Sequence, residues 1–588
     1  MIDSFAEELI LERSLSGSLS SISDETRLEA EREADGTETG ESAESSASPS
    51  STSVSLLEAN TPTSTLSSPS ITSNEFVLIL AACLIGISTG FGVVLFNDAV
   101  ASIRHLIWNE QTVLDGRQLL ASLETDAFGW LRLIGPPVIG SGIVAGVSWL
   151  SVAGAPDSGA GAQAFPYRKA RERLGRIVCA IFGLGSGVSL GPEGPSVEIG
   201  VDAATIFIEQ FKSGRQHIAS LIAAGSGAGV AAGFNAPISG VFFAVESVLQ
   251  RESGPNRKFA LVNQEEESSG LTIAMILLAS VLGAIVSQAG LGSSPAFLVP
   301  DYELRSLAEL PLFIVFGGIC GVVSSAFLFS LGLATDRFGE VASGMQSRGE
   351  NARWLLPVAG GVTTGLCALF FPEVLYEGFD NVNSVLSAPS GDYSASILLQ
   401  IVALKIVATS VARGSGLRGG IYAPSIFIGA ALGSAFGLTV NEVFHTVGVP
   451  VSAPQAYALV GVGAFLASAC DIPLTGILLL FELTRDYLII VPSLGAVGIS
   501  YWISSNFLGW IRSSRGAGAA GVVKAGPVVE PTGPSKSAAQ SKPTISREQP
   551  TMTTISVTEA RELLAGAKDD DVVVSQKEKE VTILIKQP

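Results

Sequence analysis

The sequence predicts an all-α polytopic membrane protein, and three observations predict it. Hydrophobic residues make up 47% of the 588 and charged ones only 15%, against roughly 25% charged in soluble domains. Uncharged apolar runs recur from Phe76 to about Trp510. Many of those runs are cut by Gly or Pro, which a membrane tolerates only where the broken backbone is covered by protein or lines a wet cavity. A soluble protein with a greasy core does not need uncharged runs that reach the roughly 20 residues of a bilayer span. The 65 glycines fit closely packed membrane helices, where small residues let backbones approach. Mean hydropathy is +0.45.

The chain divides into three. Residues 1–75 hold fifteen Asp and Glu against three Arg, so they carry −12 of the net −19. Acidic, Ser-rich and poor in aromatics, this stretch cannot bury enough apolar area to fold and is predicted disordered. It is unlike an Arg-rich transit peptide, and no secretory apolar core lies near Met1. So acidic a chain is not a nucleic-acid binder. Residues 76–510 form the membrane domain. Its apolar stretches fall at about 76–97, 131–152, 174–190, 219–233, 271–290, 310–334, 354–371, 396–412, 424–440, 457–470 and 486–510. Stretches 271–290 and 310–334 reach span length; others are far too short. Residues 511–588 form an extramembrane tail, Gly-, Ala-, Pro- and Ser-rich through 545. Its pattern then predicts a helix over Val557–Gly566 and strands at Val572–Val574 and Val581–Ile585.

All five cysteines (Cys83, Cys179, Cys320, Cys367, Cys470) sit in apolar runs without close pairing and read as small hydrophobes. His105, His217 and His445 flank apolar segments and share no motif with Cys or carboxylate, so no metal site is expected.

The short, broken segments recur in matching halves. Pro237, Gly240 and Glu246 follow the pattern Pro-x-x-Gly-x5-Glu, as do Pro473, Gly476 and Glu482. Upstream lie Gly191-Pro-Glu-Gly-Pro-Ser196 and Gly419-Gly-Ile-Tyr-Ala-Pro-Ser425. Pro195 precedes Pro237 by 42 residues and Pro424 precedes Pro473 by 49. Two motifs in one order at similar spacing indicate an internal duplication, the organisation of transporters whose ion site lies at the breaks.

Glu193 stands among glycines and prolines where a helix begins, with Pro195 suited to its first turn. The unpaired N–H groups at that start, Gly194 among them, and the positive dipole end attract an anion. A mobile carboxylate there can occupy the anion's place when ionised and leave it when protonated; the bland alternative is a helix cap. The second break has the same logic. Its glycines permit unusual backbone angles, Pro424 sits where a helix begins, and the N–H groups of Ile421, Tyr422 and Ala423 are free to coordinate an ion. Two such starts converging would bind an anion without a full positive charge, weakly enough for it to leave. For Glu246 and Glu482 the bland reading is a cap or pair at the cytoplasmic surface. Lys405 is an intramembrane charge, functional by default or a structural partner for a carboxylate.

Gly-Pro-Glu-Gly-Pro, Phe234-Asn-Ala-Pro237, Gly-Gly-Ile-Tyr-Ala-Pro and Glu482-Leu-Thr-Arg-Asp-Tyr487, in this order, resemble the CLC family of chloride channels and chloride/proton exchangers. The combination with Phe-Phe-Ala-Val-Glu-Ser is most similar to the plant and algal organellar branch, including its chloroplast thylakoid members. The resemblance implies the CLC fold, an internal inverted repeat of tilted and broken helices, working as a homodimer with one pore per subunit. It implies Glu193 as gating glutamate and the amides of Ile421 and Tyr422 as holders of the central chloride. The bilayer, chloride, other small anions and protons are the implied partners, with no cofactor. An organelle membrane is the implied location.

Four departures from the family pattern matter. The family's Gly-Ser-Gly-Ile-Pro element has only a degraded counterpart, Asp157-Ser-Gly-Ala-Gly161, in which Ser158 is similar to the pore serine that favours chloride over nitrate. The position before the gate, usually Lys or Arg, is Pro192, which lowers the positive potential at the pore mouth. Exchangers carry a proton glutamate directly after the position of Glu246; here it is Ser247. No Tyr follows Tyr501, so the pore tyrosine of the last helix is missing. Ser247 favours a passive channel, with an exchanger as the alternative. The tail at 555–587 resembles half of a CBS domain, too little to form the nucleotide-binding pair.

Two rivals remain. An organic-anion transporter shares broken helices but would want Arg or Lys within the apolar runs, where Lys405 is the main candidate. An intramembrane serine enzyme could use Gly185-Ser-Gly187, but needs a His within reach, and no His lies inside an apolar segment. No enzyme activity is expected, and no βαβ pattern makes the glycines a dinucleotide loop.

Overall fold

The computed structural model describes residues 73–108, 129–153, 165–211, 217–249, 266–292, 309–347, 352–387, 393–448, 451–515, 572–577 and 580–585. The predicted tail over 1–75, apart from its last three residues, and the predicted helix Val557–Gly566 lie outside them. Helices follow in the order α1 Ser73–Trp108, α2 Gly129–Ala153, α3 Phe165–Gly185, α4 Glu193–Phe211, α5 Ile218–Phe234 and α6 Pro237–Phe243, which runs on into a π turn Ala244–Leu249. After these come α7 Glu266–Leu291, α8 Leu310–Ser347, α9 Leu356–Ala368, α10 Phe379–Ser387, α11 Ala395–Gly414, α12 Tyr422–Val447, α13 Pro454–Cys470, α14 Pro473–Thr484 and α15 Ile490–Arg515. In a separate compact unit, 531–588, strands β1 Val572–Lys577 and β2 Glu580–Ile585 pair antiparallel.

Among the described residues, six helices are long and apolar enough to cross a membrane: α1, α2, α7, α8, α11 and α12. Their outward faces carry exposed Phe91, Leu95, Leu106, Val322 and Phe329, a surface that only lipid or another apolar partner can cover. The chain is thus an integral membrane protein. Pro136 and Pro137 lie inside α2, which membrane helices accommodate because neighbours satisfy the freed backbone groups.

The centre is built from the short helices. In α13 every residue from Ala456 to Cys470 is buried, and α5 is nearly as enclosed. Each is hydrophobic all round, as a helix with no lipid or water face must be. α5 packs against α4, and α13 against α12, through glycine pairs. A Cβ on Gly200 would overlap the Gly225 carbonyl, and one on Gly429 would overlap that of Gly461. α5 and α13 both end in a left-handed residue, Asn235 at φ 56° and Asp471 at φ 61°, before Pro237 and Pro473 open the next helix. Asn and Asp are the side chains that best tolerate that conformation.

The duplication read from the motifs is therefore present atom by atom. Ser196 Oγ donates to Pro192 O at 2.9 Å, and Ser425 Oγ to Ile421 O at 2.7 Å. The halves also exchange contacts reciprocally. Glu246 accepts from the N–H groups of Leu474 and Thr475 at 2.8 Å each, and from the Thr475 hydroxyl at 2.5 Å. Glu482 accepts from the N–H groups of Ile238 at 2.9 Å and Ser239 at 2.7 Å, and from the Ser239 hydroxyl. Each glutamate caps the opposite repeat's helix, as a two-fold relation between halves requires. Capping was the bland expectation; that it crosses between repeats was not visible in the sequence.

Sequence boundaries differ from the structure where amphipathic turns extend an apolar run. The stretch at 174–190 is the second half of α3 plus the break. α3 is charged as far as Arg176 because that part pairs with α4. Arg176 Nη2 lies 3.0 Å from Asp202 Oδ2, and Arg173 Nε lies 3.3 Å from Asp202 Oδ1. Arg176 Nε is also 3.5 Å from Glu198 Oε2, and Arg173 Nη2 is 3.6 Å from Glu209 Oε1. The stretch at 354–371 is a 3₁₀ turn, Ala352–Leu355, followed by α9. All five cysteines lie among the described residues, and none forms a disulfide.

Candidate functional site

α3 ends at Gly185, and the chain turns at Gly187, whose φ of +95° is a glycine conformation. It then runs through Ser189 to Gly191 without helical bonds and re-enters helix at Glu193. Ser189 is held there by a 3.0 Å contact between its Oγ and Thr409 Oγ1 of α11. In the other half, α11 ends at Gly414, Gly416 turns at φ +96°, and helix resumes at Tyr422 with Ile421 as its N-cap. No side chain caps that start, so its first N–H groups stay available.

The two breaks meet. Gly191 N donates to Gly420 O at 2.9 Å, and Gly420 N donates to Gly191 O at 2.6 Å, an isolated antiparallel bridge between the halves. The approach requires glycine. A Cβ on Gly194 would come within 3.0 Å of both Cα and N of Gly420, and one on Gly420 would meet Glu193 Oε2 and Gly194 N at 2.7 Å.

Glu193 is 2% exposed, and among the described residues no side chain donates to either of its oxygens. Neither oxygen has a hydrogen-bond partner among the described residues, and Oε2 lies against Gly191 and Gly420, where a Cβ on either would meet it. A carboxylate from one helix start therefore lies at the bridge that joins it to the other. Ile421, Tyr422 and Ala423 are buried around it. The Tyr422 ring stands edge-on to Phe243 at 6.1 Å between centroids.

The structure thus brings Glu193, Gly194, Ile421, Tyr422 and Ala423 together, and Ser158 lies outside the described residues. Ser247 falls in the π turn after α6, buried and beside the interlocked Glu246 rather than among the amides of the breaks. Lys405 was read as an intramembrane charge, functional or a structural partner for a carboxylate; its Nζ donates to the carbonyls of Val374 at 2.9 Å, Leu375 at 3.5 Å and Tyr376 at 2.7 Å. No motif marks the loop that accepts these bonds, and the only signal in the sequence is Lys405 itself.

Comparison with known proteins agrees with this architecture. The family model described as voltage gated chloride channel matches residues 127–505. Chloride channel protein CLC-e of Arabidopsis thaliana is 43% identical over 442 residues, which cover 74% of this chain and 60% of that protein. The H(+)/Cl(-) exchange transporter ClcA of Vibrio cholerae is 33% identical over 321 residues, covering 53% of this chain and 63% of that protein. The chain therefore spans less than two thirds of the length of either relative. The crystal structure of a slow cyanobacterial Cl-/H+ antiporter superposes with a TM-score of 0.59 at 24% identity, over 76% of this chain and 99% of that one, a likeness of fold. Two helix starts joined back to back, each from one copy of a duplicated unit, lie wholly inside the span that the family model matches, and the chain belongs to the CLC family.

Proposed function

We propose that the protein moves chloride across a membrane as a passive channel, gated by Glu193. The observation that carries this reading is the buried Glu193 carboxylate beside the Gly191–Gly420 bridge, where the two helix starts meet, with neither oxygen hydrogen-bonded. Ionised, it fills the anion's place; protonated, it loses its attraction for the amides and swings out, and a chloride takes its position. The amides of Gly194, Ile421, Tyr422 and Ala423 hold the ion, and Ser158 adds a hydroxyl, which favours chloride over nitrate. The ion is the transported ligand, and the path needs no cofactor. The protein works in the bilayer as a homodimer, one path per subunit, in an organelle membrane.

The channel reading draws on Ser247, since a hydroxyl cannot shuttle protons as a carboxylate does, and on the name of the Arabidopsis relative. The exchanger reading draws on the name of the Vibrio relative. Purified protein in liposomes, recorded for chloride and proton flux together, separates them. The expected result is chloride movement with no uphill proton flux under a chloride gradient; uphill proton flux establishes the exchanger. Glu193→Gln is expected to abolish the pH dependence of chloride flux, and unchanged pH behaviour removes Glu193 from the gate.

A further inference from the structure

Whatever fixes the two breaks relative to each other fixes the place where their helix starts meet. The Gly191–Gly420 bridge is one such tie. A second lies just upstream. Ser189 stands in the non-helical stretch of the first break, two residues before Gly191, and its Oγ lies 3.0 Å from Thr409 Oγ1 of α11. Both residues are 0% exposed. A buried hydroxyl is costly without a partner, and here each hydroxyl supplies the other's.

α11 is the fixed side of this contact. It leads straight into the second break, where Leu417 N donates back to Ala412 O at 3.3 Å. One turn before Thr409, on the same helix face, lies the buried Lys405. Its Nζ donates to the carbonyls of Val374, Leu375 and Tyr376. The Tyr376 N–H in turn donates to Gly187 O at 3.1 Å, at the turn that opens the first break. The same loop is pinned from α10, since the carbonyl of the buried Glu373 accepts from Asn381 Nδ2 at 2.8 Å. One helix therefore reaches the first break directly at Ser189, reaches it through Tyr376 at Gly187, and continues as the second break. Little slack remains downstream of Ser189. Glu193 Oε2 fills the space that a Cβ on Gly191 or Gly420 would take, and a Cβ on Gly194 would come within 3.0 Å of Gly420. A shift of Ser189 is thus passed on to Gly191 and Glu193.

We propose that Ser189 and Thr409 are positioning residues that lock the first break to the helix leading into the second, and so set how sharply the path distinguishes chloride from larger halides. This rests on the two breaks as the chloride path. Neither residue acts by touching the ion. A site lined by backbone groups selects through the number and placement of those groups, and a first break released from α11 accommodates a larger anion.

The test is anion efflux from liposomes holding the full chain and loaded with chloride or iodide. The variants are Thr409→Val, Thr409→Ser, Ser189→Ala and the double variant Ser189→Ala with Thr409→Val. Val keeps the branched shape of Thr and lacks its hydroxyl. Loss of folded protein lowers both rates together and leaves their ratio alone. Thr409→Val is expected to lower the chloride-to-iodide ratio about threefold, and Thr409→Ser to keep the wild-type ratio. Ser189→Ala is expected to match Thr409→Val, and the double variant to fall no further, since either change breaks the one contact. If Thr409→Val does not fold, Ser189→Ala decides by the same measure. A wild-type ratio in Thr409→Val, or a double variant whose loss is the sum of the two, overturns the pair and, with chloride still passing, leaves the path standing. Wild-type protein that passes no chloride overturns both.

Discussion

Gly194 and Gly420 face each other where the two breaks touch, and there a single methyl decides the geometry. Gly194→Ala would place a Cβ 3.0 Å from Gly420 and force the breaks apart. Overpacking of this kind costs about 1–3 kcal/mol, which a bundle of this size survives. The expected outcome is a folded protein, by size-exclusion profile and melting temperature, with strongly reduced chloride flux; wild-type flux would show that the bridge does not shape the path. Glu193 was legible in the sequence because a carboxylate between two Gly-Pro steps at a helix start has few structural uses. The loop at 374–376 was not legible, since no motif surrounds it and only the fold brings it to the first break. Lys405 was legible as an anomaly, but its partners are backbone carbonyls, which every residue has and no pattern can announce.

Among the elements, α6 and α14 depend most on each other. Each begins at a Pro and is capped by the other repeat's glutamate, so each cap holds the two halves together at the same time. Removing one leaves two N–H groups and a hydroxyl without their acceptor, a loss of about 1–3 kcal/mol. Glu246→Ala and Glu482→Ala are each expected to lower the melting temperature in detergent, and the double variant by less than the sum, since both act on one interface. Strictly additive losses would mean that the caps are independent. The sequence disclosed these helices through Pro-x-x-Gly-x5-Glu, yet it could not show which helix each glutamate serves. Helix limits were least legible where charge enters the bundle. α3 reads as polar as far as Arg176 because Arg173 and Arg176 meet Glu198, Asp202 and Glu209 rather than water. The nine-residue α10 carries too short an apolar pattern to be recognised.

At the scale of the molecule, a duplicated unit has folded about a two-fold relation, so that the most strongly broken part of each copy faces its counterpart at the centre. Interrupted helices are costly in a bilayer, and only the protein interior can cover their free backbone groups. The same arrangement that satisfies this requirement aims two positive helix ends at one point. The breaks and the duplication followed from composition, from the Gly and Pro interruptions and from the spacing of the two motif pairs, whereas the two-fold relation of the copies did not, because spacing carries no direction. The direct test is a crystal structure of Glu193→Gln grown in bromide, with anomalous differences measured at the bromine edge. A peak within hydrogen-bond reach of the Ile421, Tyr422 and Ala423 amides, where the Glu193 carboxylate lies in the wild type, is the predicted result. Bromide bound elsewhere along the path, with those amides turned away from it, would contradict it.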